Sequence, residues 1–148
     1  MNSWPSRIKV VEREFNSARL AVDRLQSEAL RDPTILKPVV GLKYVDVRQA
    51  SDHLSGTYII RLFAEFETGL RDFWSATRQN KPPTRTRDLL DGIAAARKIP
   101  FDQLANAHRV RDYRNNLIHE RDEQSVPVSV EQARRYLCRF FGYLPPDW

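Results

Sequence analysis

The segment Arg111-Asp112-Tyr113-Arg114-Asn115-Asn116-Leu117-Ile118-His119 gathers fixed cations, two amides and a titratable imidazole in nine residues. Those groups suffice to cleave RNA without a metal. An arginine fork binds a phosphate and neutralises the charge that grows on it in the transition state. A histidine titrates near neutrality and exchanges a proton with a 2′-hydroxyl or a leaving 5′-oxygen. An asparagine orients either group. The candidate catalytic residues are therefore Arg114, Asn115 and His119. Arginine and histidine five residues apart also occur by chance, so the spacing acquires meaning only from the element that carries it.

That element is expected to be a helix over residues 101–119, with Leu104, Ala107, Val110, Leu117 and Ile118 facing inward. At about 100° per residue, Arg114 falls close to the centre of this apolar stripe, where leucine or isoleucine would be ordinary. A guanidinium withdrawn from water needs compensation. Either Arg114 meets a carboxylate, or the stripe lines a cleft rather than a sealed core. Glu67, beside Phe63, Leu70 and Trp74 on the flank of another helix, is the candidate supporting carboxylate, and an Arg114–Glu67 pair would also hold two helices in register. His119 lies about 140° round from Arg114 on an ideal helix, so the two do not share a face. They converge if the last turn frays or if a second subunit completes the site. Asn115 and Arg111 share the row of His119 at four-residue steps.

Further elements follow from periodicity and punctuation. Ile8, Val11, Phe15, Ala18, Val22, Leu25 and Ala29 predict a helix over about 6–31, capped by Ser6 or Ser3 and ended at Asp32-Pro33. Residues 32–46 are a connector in which Val39, Val40, Tyr44, Val45 and Val47 have strand-like character. A second long helix is expected over about 48–78, its stripe formed by Ile59, Leu62, Phe63, Phe66, Leu70, Phe73 and Trp74, with Ser55-Gly56-Thr57 as a kink or a break. Thr84 or Thr86 caps a short helix carrying Leu89, Leu90, Ile93 and Ala94, and Lys98-Ile99-Pro100 interrupts it. After a polar loop over 120–128, Ser129 with Gln132 forms a capping box. The final helix carries Ala133, Leu137, Phe140, Phe141 and Leu144 and stops at Pro145-Pro146. The expected fold is all-α, an up-and-down four-helix bundle with an extra short helix, in one domain over residues 1–148.

Composition narrows the function. The chain has 148 residues, 41% hydrophobic, enough for a core. A single cysteine, Cys138, excludes an internal disulfide and multi-cysteine metal sites. Cys138 falls near the apolar stripe of the last helix and reads as core packing. His53 and His108 have no partner spacing and read as surface or half-buried residues, and the three histidines form no ligand pattern, so no metal or other cofactor is expected. Trp4 and Trp148 flank the domain and are expected to pack its ends or a subunit face. Five glycines without a Gly-rich loop argue against a nucleotide fingerprint. With no long apolar run and no secretory leader, the expectation is a cytoplasmic protein without membrane contact. The net charge is +5, and residues 78–121 alone carry ten Lys or Arg against five Asp or Glu. That field suits RNA, and Arg111 and Arg121, flanking the motif, are the candidate RNA contacts.

Arg114-Asn115-Asn116-Leu117-Ile118-His119 resembles the signature of the HEPN superfamily, an arginine followed by a polar residue and then, a few residues on, a histidine. The aromatic second helix with internal acids (Phe63-Ala64-Glu65-Phe66-Glu67), the motif at the end of a late helix and the short loop to a capped final helix extend the resemblance over about residues 5–144. It implies a helical bundle that dimerises and brings two Arg/His motifs into one cleft. It also implies a metal-independent endoribonuclease of toxin or antiviral-defence type, with an antitoxin or regulatory protein as a further partner. In that role Arg114 holds the scissile phosphate, His119 is acid or base, and Asn115 positions them, leaving 2′,3′-cyclic phosphate and 5′-hydroxyl ends. The subgroup regulated by AMP transfer has a tyrosine two residues after the histidine; here the run is His119-Glu120-Arg121, so that regulation is not expected. The competing expectation is a catalytically inactive bundle of the same type that binds a nucleic acid, a nucleotide or a protein partner.

Overall fold

The structure, a computed structural model, describes residues 3–119 and 125–148. It is all-α, with 77% of the described residues helical. The described elements are α1 (Trp4–Arg31), a 3-10 turn (Pro33–Leu36), α2 (Tyr44–Thr77), α3 (Thr86–Arg97), α4 (Phe101–His119) and α5 (Val130–Phe141). The expected extended piece within 32–46 does not form. Asp32 accepts hydrogen bonds from the Thr34 amide (3.0 Å) and hydroxyl (2.6 Å), which nucleates the 3-10 turn, and α2 begins at Tyr44. Local capping thus overrides the β-branched composition of the connector. Nor does Ser55-Gly56-Thr57 break α2, which runs unbroken for 34 residues. A Cβ on Gly56 would lie 3.3 Å from Leu117, so this glycine gives α4 a close approach.

Cross-helix contacts fix the topology. Arg7, Glu14 and Arg19 of α1 meet Glu65, Arg61 and Ser51 of α2, so these helices run antiparallel. Glu12 meets Arg134 at 3.0 Å, and the Pro5 carbonyl meets Cys138, so α1 and α5 are antiparallel too. Leu117 over Gly56 and Arg114 over Phe63 set α4 antiparallel to α2. The short α3 packs on α2 and α4. The shared core contains Ile8, Phe63, Phe66, Leu90, Val110, Leu137 and Phe140, with Phe66 edge-on to both Phe140 and Phe141. At one end Trp148 packs edge-on to Phe73 and stacks on Phe141, while Trp4 covers Gly69. Both terminal tryptophans therefore close the bundle's end. The capping box forms as expected: Ser129 Oγ accepts from the Gln132 amide and Gln132 Oε1 from the Ser129 amide, both at 3.1 Å. The helix that it opens ends at Phe141, short of Pro145-Pro146, with Leu144 still buried beyond it.

α1 and α2 are longer than their partners. The C-terminal turn of α4 and the first turns of α5 reach α2 near Ser55 and Gly56 and α1 near Glu12 to Asn16. Beyond that level α1 and α2 continue as a two-helix arm of about 20 Å. Its own small core is Ala29, Leu36 and Val47, and Arg19 ties it together through Ser51 Oγ (3.0 Å), the Ser51 carbonyl (3.1 Å) and Ser55 Oγ (3.2 Å). Among the described residues no helix is long and apolar enough to cross a membrane.

Candidate functional site

α4 positions the candidate residues at the end of the bundle from which the arm projects. Ala107 and Val110 are fully buried and anchor the helix, while the last turn rises out of the core, leaving Ile118 42% exposed and His119 exposed. Ile118 is thus not an inward residue: α4 ends at the level from which α1 and α2 continue as the arm, and no described element buries the turn it occupies.

Arg114 is half-buried. Its guanidinium lies 5.4 Å from the centroid of the fully buried Phe63 ring, and Nη1 donates to Asn115 Oδ1 at 2.9 Å. Its Nε is sealed from solvent and has no hydrogen-bond acceptor among the described residues. The expected Arg114–Glu67 pair does not form. Glu67 Oε1 instead accepts from Arg71 Nη2 (2.7 Å) and Nε (3.1 Å), one helical turn on, and from Thr86 Oγ1 (2.8 Å). Arg71 in turn donates to the carbonyls of Pro83 and Thr84. Glu67 therefore clamps the start of α3 to α2. Among the described residues no carboxylate pairs with Arg114, so of the two alternatives open for a cation on the stripe, the partnering acid is absent. The charge is held against an aromatic face, by an attraction worth about 1–2 kcal/mol when partly desolvated, with one amide to orient it.

Asn115 thus meets Arg114 directly, whereas His119 makes no hydrogen bond with either among the described residues. One chain brings two of the three candidates together and leaves the imidazole on the exposed last turn. Arg111 is withdrawn from solvent, its side chain 13% exposed. It bonds Asp112 Oδ1 through Nε (3.0 Å) and Nη2 (2.5 Å), and its Nη1 donates to His108 Nδ1 at 2.8 Å. Those commitments occupy the fork proposed for RNA. Arg121 lies outside the described residues.

Sequence spacing missed the partners of His108. An arginine only donates, so Nδ1 accepts and the ring proton sits on Nε2, 2.7 Å from Asp91 Oδ1 of α3. Asp91 is 17 positions away, and no local periodicity signals that pairing. Cys138 is half-buried, and burial pushes its thiol above the ordinary range. Among the described residues no three His, Cys, Asp or Glu side chains gather as a metal site. Comparisons with family models, with curated proteins and with solved structures each return no match.

Proposed function

We propose that the chain is a metal-independent endoribonuclease in which Arg114 binds the scissile phosphate, Asn115 orients the guanidinium, and His119 transfers the proton. The observation that carries this reading is the half-buried Arg114: its Nε has no acceptor and no described carboxylate neutralises its charge. A positive centre set in this way gains most from an incoming anion, since desolvated charges interact more strongly than hydrated ones. In the reaction the 2′-oxygen attacks phosphorus as its proton leaves to a base. The bond from phosphorus to the 5′-oxygen breaks, and that oxygen takes a proton from an acid. The products are a 2′,3′-cyclic phosphate and a 5′-hydroxyl. One imidazole serves one of these transfers at a time. A second copy packed against the exposed end of α4 supplies the other, which is the homodimeric arrangement the resemblance implies. A toxin or defence role, in the cytoplasm and under an antitoxin or regulatory protein, follows from that resemblance alone.

A second reading has one observation in its favour. His119 has no partner among the described residues to fix its ring, whereas a working general base is commonly oriented by a third group. On that reading the bundle binds a nucleic acid, a nucleotide or a protein partner without turnover. Incubation of the purified chain with mixed RNA in excess EDTA, followed by mapping of the product ends, separates the two. Cyclic phosphate ends that vanish in His119→Ala are expected. Intact RNA, or ends unchanged by that substitution, contradicts the enzyme.

A further inference from the structure

The outer face of α3 and α4 carries a shallow cleft of about 370 Å³ away from Arg114. Four of the side chains that line it are already internally satisfied, because His108 pairs with Asp91 and Arg111 with Asp112. Two guanidinia remain. Arg87 and Arg109 are exposed and form no ion pair among the described residues. At the same cleft Phe101, the first residue of α4, is 84% exposed. Holding a phenyl ring in water is unfavourable by roughly 1.5–3 kcal/mol relative to burial. Nothing in the packing of α4 calls for it, because Ile99 just before it is already buried.

Arg109 lies 6.0 Å from the centroid of the Tyr136 ring, which leaves its charge without a carboxylate, and an open aromatic face beside two guanidinia of this kind is the combination that retains single-stranded nucleic acid. Every base offers a flat π-surface to stack on the ring, and the cations follow the phosphates. The cleft also lies on the row of α4 that leads through Arg111 and Asn115 to His119. From Phe101 to His119 that row extends for about 27 Å. We infer that this cleft is an accessory subsite for single-stranded RNA, with Phe101 stacking one base and Arg87 and Arg109 holding the flanking phosphates. It rests on the nuclease reading for the choice of ligand only. Charge complementarity and the isolated aromatic select a nucleic acid over an apolar or acidic protein segment. Asp112 is neutralised by Arg111, while Asp91, bonded to a neutral imidazole, keeps its charge, so the cleft sets three guanidinia against two carboxylates.

The test uses the full chain in the His119→Ala background, so that cleavage does not enter the readout. Binding of a fluorescein-labelled single-stranded RNA dodecamer is followed by anisotropy from 50 to 200 mM salt. Phe101→Ala is expected to weaken binding about tenfold, with Phe101→Trp restoring it. The double substitution Arg87→Ala, Arg109→Ala is expected to flatten the log–log salt dependence by about 1.4. An abasic dodecamer with the same phosphates is expected to bind as weakly to the parent as the normal strand does to Phe101→Ala. Equal affinity of parent, Phe101→Ala and the double variant for RNA would overturn the subsite, as would no binding by the parent. So would oligoglutamate competing as well as RNA, which would mark a general polyanion surface. None of these readouts depends on turnover, so the enzyme reading and the subsite can fail separately.

Discussion

Glu67 serves the fold with its charge, whereas on the proposed reading the charge of Arg114 serves binding. Glu67 accepts three hydrogen bonds from Arg71 and Thr86, all at or below 3.1 Å, and joins α2 to the entry of α3. Glu67→Gln removes the charge from these bonds, each worth about 1.5–3 kcal/mol when charge-assisted. The expected result is a lower melting temperature, with RNA cleavage below that temperature unchanged within about twofold. Arg114 differs because no carboxylate among the described residues answers its charge. Arg114→Lys keeps the cation but lacks the planar fork, so a large loss in cleavage rate is expected, on the order of a hundredfold, measured at saturating RNA. Cys138 belongs to neither group. Its burial raises the thiol pKa and suppresses the thiolate, so alkylation by iodoacetamide at pH 8 is expected to be much slower in the folded chain than in denaturant. Equal rates would contradict that burial. The charged partners were the least legible residues in the sequence. Glu67 stands on the right flank of α2 to face α4, yet Arg71 one turn on reaches it first, as neighbours four apart on a helix do.

The helices were legible because stripes and stop signals agree. The bounds of α4 match its apolar pattern, and the Ser129/Gln132 box starts α5 where the sequence places it. Ser129→Ala is expected to cost about 1 kcal/mol, read from urea denaturation, because it removes the acceptor for the Gln132 amide. The close approach at Gly56 is something local pattern does not contain: only the position of Leu117 shows that the absent side chain makes room for α4. Gly69 carries the same lesson in stronger form. A Cβ there would come within 2.7 Å of both Phe141 and Trp4. Gly69→Ala is therefore expected to destabilise by about 1–3 kcal/mol, although alanine is the better helix former by about 1 kcal/mol. A gain in stability would mean that Trp4 and Phe141 move aside freely. The strand-like valines between 39 and 47 show the converse case, in which hydrogen bonds from Thr34 to the Asp32 side chain and the propagation of α2 outweigh β propensity.

The molecule as a whole is an antiparallel bundle whose first two helices continue past the others. This places the end of α4, with Arg114 half-buried and His119 exposed, at the foot of the arm. The all-α bundle was legible from composition and periodicity, and so was the anomalous cation on the stripe. What surrounds that cation was not, since its ring neighbour Phe63 and the lack of a carboxylate among the described residues are set by packing between helices distant in sequence. If two copies share the site, sedimentation at micromolar concentration is expected to report a dimer, and substitutions at the exposed end of α4, such as Ile118→Asp, are expected to lower dimerisation and cleavage together. A monomer that cleaves RNA at full rate would remove the second copy from the account. The central claim is that the charge of Arg114 is there for a phosphate, its attraction to the Phe63 ring being offset in folding by the cost of its desolvation. Arg114→Met tests it most directly, because it keeps the apolar stem against Phe63 and removes the unanswered guanidinium. Melting temperature and cleavage rate are to be measured on the same preparation. A melting temperature equal to or above that of the parent, with cleavage reduced at least a hundredfold, is the predicted result; a lower melting temperature with cleavage intact would contradict it.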